Sequence, residues 1–132
     1  VVIMEQGMIA DTILHSAETS LGGLPELAFI NLMFWIEVGM SFFVPSSSGL
    51  AVLSMPILAP LADFANVGRD LVVTAYQSAN GLVNLINPTF AVVVGGLAIG
   101  RVSYDRWLAF IWPLLLILTV FITVVISVGT LL

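Results

Sequence analysis

Apolar residues dominate the chain from Leu27 onward, and the places where polar residues interrupt them define its elements. Leu27 to Val44 form the first strong apolar run. As a helix it measures about 27 Å, marginal for a hydrocarbon core about 30 Å thick. The run stops at Pro45-Ser46-Ser47-Ser48-Gly49, and a second one, Leu50 to Ala62, follows at once. That stretch would reach only about 20 Å, too short to cross. The pattern therefore predicts a re-entrant helical hairpin over 27–62, entering and leaving on one side. A non-helical turn at membrane depth survives only where protein or a wet cavity surrounds it.

Residues 63–70 read as a loop, with Asp70 placed to cap a helix starting at Leu71. That helix should run to about Ile86 and break at Asn87-Pro88-Thr89, because Pro88 lacks a backbone donor and clashes with the preceding turn. Apolar sequence resumes at Phe90 and continues to Ile99, so 71–100 reads as one crossing broken in its middle. A discontinuous membrane helix marks a transport site near the midplane. After the loop 101–106, residues 108–132 contain no charge and predict a final, full transmembrane helix. Trp107 and Trp112 flank its start as interfacial aromatics do, and Pro113 falls in its first turns. Two of the three arginines lie in loop 101–106, which places that loop in the cytoplasm and both ends of the hairpin outside.

Residues 1–26 are the least membrane-like. Ile9, Ile13, Leu14, Ala17 and Leu21 recur at helical spacing with Glu5, Asp11 and Glu18 between them, which predicts an amphipathic helix and linker docked on the rest of the protein. His15 stands there without a second His or paired carboxylate at ligand spacing, so a solvated or packed side chain is expected rather than a metal ligand. The chain opens on Val1 with no basic stretch, so it reads as a piece of a longer membrane protein rather than a native start or signal peptide. The fold class is all-α and polytopic: residues 1–26, then a transport repeat over 27–132.

Composition narrows the functions. Of 132 residues, 60% are hydrophobic and only 8% charged, far from the quarter or so that a soluble domain carries. Three Arg and no Lys leave no basic patch for nucleic acid. Zero cysteines exclude a disulfide scaffold and a thiolate metal site. No catalytic triad, metal cluster or phosphate loop is present, so no enzyme is expected.

The polar residues inside apolar segments carry the chemistry. Thr74, Gln77, Asn80, Asn84 and Asn87 follow at steps of three and four, on one face of a helix. Asn and Gln cannot face lipid without orphaned donors and acceptors, and five in register ending at a helix break point to a lined permeation pathway, with Gln77, Asn80 and Asn84 as substrate-binding candidates, rather than to interhelical glue. At Ser46, Ser47, Ser48 and Gly49, the start of the returning helix offers free N–H groups and hydroxyls suited to a carboxylate. Carbonyls near Ile86, with Asn87, Pro88 and Thr89, suit a small hard cation such as Na⁺. Glu37, ionisable within an apolar run, is a candidate proton site, or reaches Ser41 one turn on. Gly95, Gly96 and Gly100 suit close helix packing.

Several of these motifs together resemble a known family. Pro45-Ser46-Ser47-Ser48-Gly49-Leu50-Ala51-Val52-Leu53-Ser54-Met55-Pro56, Thr74-Ala75-Tyr76-Gln77, Asn84-Leu85-Ile86-Asn87-Pro88-Thr89 and Ser103-Tyr104-Asp105-Arg106-Trp107 are similar to the YfcC/DcuC-like carriers of the ion transporter superfamily. The resemblance runs from about Asp11 to the C-terminus. It implies the C-terminal inverted repeat of a bacterial inner-membrane transporter, with Na⁺ or H⁺ as coupling ion and no other cofactor. Its substrate would be a small carboxylate, a dicarboxylate or an amino acid. The partners implied are the bilayer, the N-terminal part of the same transporter and a second copy in a homodimer. The alternative is a non-transporting membrane subunit or scaffold whose polar stripe only holds helices together.

Overall fold

The computed structural model describes His15, Ser16, Thr19 and residues 23–132. The three isolated positions are helical and exposed. The rest of the amphipathic helix expected over residues 1–26 lies outside the described residues, apart from its last four. Five helices follow: α1 Glu26–Phe43, α2 Ser47–Phe64, α3 Arg69–Asn84, α4 Ala91–Gly100 and α5 Tyr104–Gly129. Among the described residues there is no strand. Helices α1, α2 and α5 are long and apolar enough to cross a membrane.

Local chemistry sets the boundaries. Pro25 precedes α1, and its carbonyl accepts from Ala28 and Phe29 at 2.9 and 3.0 Å. Ser46, in extended conformation, caps α2 by accepting the Gly49 N–H at 3.2 Å. With this cap and the turn beyond Ala62, α2 has 18 residues, five more than its apolar run. It is about 27 Å long rather than the 20 Å expected. Its far end closes in a Schellman motif. Asn66, at φ 56°, takes the left-handed position that Asn tolerates. Val67 N–H then bonds Ala62 O at 2.9 Å, and Asn66 N–H bonds Asp63 O at 3.3 Å. Outside this corner Arg69 Nε donates to both carboxylate oxygens of Asp63, at 3.0 and 3.2 Å.

Two expected boundaries need correction. Gly68, not Asp70, is the N-cap of α3; Asp70 lies in the first turn, where a carboxylate suits the helix dipole. The last helix begins at Tyr104 and ends at Gly129, earlier at both ends than 108–132. Pro113 is therefore its tenth residue rather than a first-turn one. At α4 the C-terminal turn is made by Arg101 at φ 51°, with Val102 N–H on Leu97 O at 3.0 Å.

The core forms where α3 packs between α1, α2 and α5. α1 buries Phe29, Ile30, Met33 and Phe34, one face at helical spacing. α3 answers with the small side chains Ala75 and Ala79 and with Val72, which let the backbones approach. Leu61, Ala62, Val67 and Ile126 complete the cluster. The same buried face of α1 continues into Glu37 and Ser41, and that of α3 into Tyr76 and Asn80. The core is thus apolar at one end and polar at the other.

Direction follows from end-to-end contacts. Asn31 Nδ2 donates to Ser127 Oγ at 3.0 Å, joining the start of α1 to the end of α5. Trp107 Nε1 donates to Leu85 O at 2.9 Å, joining the start of α5 to the end of α3. Tyr104, which follows α4 in the chain, donates its hydroxyl to Ile86 O, which precedes it. After α4 the chain therefore returns to the level of the break. α4 buries no residue, and nothing lies within 4 Å of a Cβ at Gly95 or Gly96, so these glycines pack against no helix among the described residues. The outward faces of α1, α2 and α5 expose Trp35, Phe43, Val52, Phe110, Ile117 and Phe121 among other large apolar side chains, as lipid or further protein requires.

Candidate substrate and ion site at two helix breaks

Two of the four junctions between these helices, the one after α1 and the one after α3, meet. Asn87, fully buried just past the end of α3, donates through Nδ2 to Phe42 O at 3.1 Å and to Ser41 O at 3.4 Å. Those carbonyls belong to the last turn of α1, where no intrahelical N–H is available to them. Its Oδ1 accepts Thr89 N–H at 3.0 Å and Thr89 Oγ1–H at 2.8 Å. One amide thus ends α1 and shapes the turn around Pro88. Tyr76, on α3, adds a second tie by donating its hydroxyl to Ser47 O at the start of α2.

The polar stripe divides. Thr74 and Gln77 are exposed on the surface of this chain. Thr74 turns its hydroxyl back to Asp70 O at 2.9 Å. Asn80 is buried and Asn84 half-buried. Asn84 Nδ2 donates to Asn80 Oδ1 at 2.9 Å, and Asn80 Nδ2 makes a long 3.4 Å contact with Ser41 Oγ. Asn84 Oδ1 is buried with no partner. The described chain thus brings together Asn80, Asn84, Asn87 and Ser41, and leaves Thr74 and Gln77 outside that group.

At the hairpin turn Ser46 spends its hydroxyl on the cap, Ser47 and Ser48 are exposed, and Gly49 is half-buried. A Cβ at Gly49 would come within 3.1 Å of Ser46 Oγ, so the cap leaves little room there for a side chain. The oxygens expected to hold a cation are largely engaged: Leu85 O by Trp107, Ile86 O by Tyr104, Asn87 Oδ1 by Thr89 and Asn87 O by Phe90 N–H. Pro88 and Thr89 are exposed.

Glu37 has no exposed surface; its carboxyl lies beside Ser54 Oγ on α2 but outside good hydrogen-bond geometry, and neither group makes a well-formed hydrogen bond among the described residues, with Ser41 or any other. Ser54 and Tyr76 are the polar neighbours of this carboxyl. Ser54 also borders an otherwise apolar groove of about 250 Å³ between α1 and α2, lined by Leu32, Met33, Ile36, Met40 and Leu53 among others. Sequence reading did not single out Ser54, Tyr104 or the indole N–H of Trp107 for these contacts. Only Ser54 carried a signal, as a lone hydroxyl amid apolar residues.

A family model described as C4-dicarboxylate anaerobic carrier, DcuC, matches residues 1–131. The chain belongs to this family. It is thus part of a membrane carrier family rather than of an enzyme family. Within it, this DcuC-family chain is 42% identical over 113 residues to an uncharacterised protein of Haemophilus influenzae, covering 86% of the chain and 22% of that protein. It is 37% identical over 100 residues to a protein of Escherichia coli K12 named "Putative basic amino acid antiporter YfcC", covering 76% of the chain and 20% of that protein. The chain therefore spans about a fifth of the length of these relatives. No solved structure matches it.

Proposed function

We propose that this chain is the C-terminal portion of an ion-coupled secondary transporter that moves a small carboxylate, a dicarboxylate or an amino acid, across the bacterial inner membrane. The supporting observation is that Asn87, in the break after α3, bonds the last turn of α1 beside the other interruption, while Tyr76 from the middle of α3 bonds Ser47 O at the hairpin turn. Helix ends supply free backbone groups, and inside a membrane these are useful where they face a ligand. The carboxylate sits at the Ser46–Gly49 turn, held by the α2 N-terminus and the hydroxyls of Ser47 and Ser48. Asn80 and Asn84 border it, with Asn84 Oδ1 left to accept from the substrate, and Gln77 extends the path. A Na⁺ at Asn87, Pro88 and Thr89 has weaker support, because most oxygens there already accept hydrogen bonds. The partners in this reading are the bilayer, the remainder of the same polypeptide and a second copy.

The scaffold reading draws on one observation, the Asn84–Asn80–Ser41 bonds, which join α3 to α1 as interhelical glue would. Uptake by the full-length protein in liposomes separates the two. We expect transport of at least one member of a panel of dicarboxylates and basic amino acids. Ser47→Ala and Ser48→Ala should each weaken apparent affinity roughly ten- to a hundredfold, since a hydrogen bond to a charged group contributes about 1.5–3 kcal/mol. A wild-type protein that transports none of the panel favours the scaffold.

A further inference from the structure

Glu37, Ser54 and Tyr76 come from three different helices and meet inside the polar end of the core. Their exposures are 0%, 2% and 3%. Three polar atoms there, both Glu37 oxygens and Ser54 Oγ, lack partners. Among the described residues no counter-charge reaches this carboxyl, and an ionised carboxylate so placed is costly, so the site must take up a cation or a proton. The groups facing Glu37 decide which. Tyr76 is its titratable neighbour on α3, α2 offers only the Ser54 hydroxyl, and α5 has no charged residue after Arg106. Two carboxylate oxygens, the Ser54 hydroxyl and a Tyr76 hydroxyl already given to Ser47 O are too few to replace the hydration shell of a metal cation, and the surrounding helix carbonyls are committed to their own turns. A proton needs one acceptor, and Ser54 Oγ supplies it.

We propose that Glu37 is the proton-binding site of this carrier, with Ser54 as its hydrogen-bond partner and Tyr76 as its connection to the hairpin turn. Glu37 takes a proton from water on one side, holds it as a carboxyl group whose O–H donates to Ser54 Oγ, and returns it to water on the other. Tyr76 shares this pocket and bonds Ser47 O, so the pocket and the turn proposed to bind substrate are joined by one side chain. The inference rests on the carrier reading for its purpose but not for its existence, and the two are tested separately.

The site is probed in the full-length protein in liposomes with dicyclohexylcarbodiimide, an apolar reagent that modifies protonated buried carboxyls, read by peptide mass spectrometry between pH 5 and 9. Modification at Glu37 should be strong at the acid end and fall about tenfold per pH unit once the carboxyl ionises. No modification at any pH, or a rate flat across the range, overturns the proposal. A pH-sensitive dye inside the same liposomes then follows proton movement as substrates of the panel are added. Wild type should move protons with substrate. Glu37→Gln, close in size and neutral, should lose at least tenfold of that movement, and Glu37→Asp should restore part of it. Substrate transport without proton movement overturns the proton site and leaves the carrier standing. Normal pH-dependent labelling with no transport of any substrate overturns the carrier and leaves the proton site.

Discussion

Replacing Asn87 by Ala should loosen the joint between the two breaks by a calculable amount. The amide makes three well-formed hydrogen bonds, to Phe42 O, Thr89 N–H and Thr89 Oγ1, and one long contact to Ser41 O. A neutral hydrogen bond is worth about 0.5–1.5 kcal/mol net, and interhelical ones in a membrane average about 0.6. Three together give about 2–4 kcal/mol, and the orphaned Phe42 and Ser41 carbonyls push toward the upper end. The assay is reversible unfolding of the full-length protein from mixed micelles in rising sodium dodecyl sulfate, followed by tryptophan fluorescence. Thr89→Val is the internal control, since it removes only the Oγ1 bond and should cost about 0.5–1.5 kcal/mol. Asn87→Asp keeps the two bonds accepted from Thr89 but sets a carboxylate against two carbonyls, and should be no more stable than the alanine variant. If Asn87→Ala lies within about 0.5 kcal/mol of wild type, Asn87 does not end α1 as described, and the two breaks are not coupled through it.

Other expected outcomes follow from single contacts. Ser46→Ala should cost about 1 kcal/mol by the same assay through loss of the α2 cap, and Ser46→Asp, another capping residue, should cost less. Arg101→Gly should stabilise by about 1 kcal/mol, because a non-glycine residue in left-handed geometry costs about 1–2 kcal/mol; a destabilised variant would point to a contact made by Arg101 outside this chain. Asn84→Leu in the full-length carrier should abolish uptake while the protein still inserts and unfolds cooperatively. Unchanged uptake would reduce the stripe to helix packing. Trp107→Phe should lower the unfolding midpoint by removing the bond to Leu85 O, which a merely interfacial tryptophan would not do.

The helices themselves were legible because their interruptions are made of residues with little choice. Pro45 and Pro88 stand beside polar residues that end an apolar run, unlike Pro56, Pro60 and Pro113, which lie inside helices, and Gly68 and Asn66 sit where the chain turns. The length of α2 was underestimated because an apolar count stops at Ala62, while hydrogen bonding carries the helix from the Ser46 cap to Phe64. The stripe was half legible for a geometric reason. A step of three turns a helix by about 300°, so Thr74 and Asn80 lie about 120° apart, and only the later members reach α1. The break contacts of Tyr104 and Trp107 were not legible, since nothing in the sequence says that the chain returns to Ile86 after α4. Glu37 was visible as an anomaly, but its pocket needed Ser54, which only the packing of α2 on α1 supplies.

The clasp at Asn87 also has a mechanical meaning. Bonds from one amide to α1 and to the turn after α3, reinforced by the bond from Tyr76 of α3 to Ser47 O of α2, leave three helices unable to slide past one another without breaking several bonds at once. The compliant points lie elsewhere, at the exposed corner around Arg101 and at α4, which buries nothing. A displacement of this region relative to the rest of its polypeptide would therefore carry both interruptions as a single rigid block, with strain absorbed at those points and none at the joint itself.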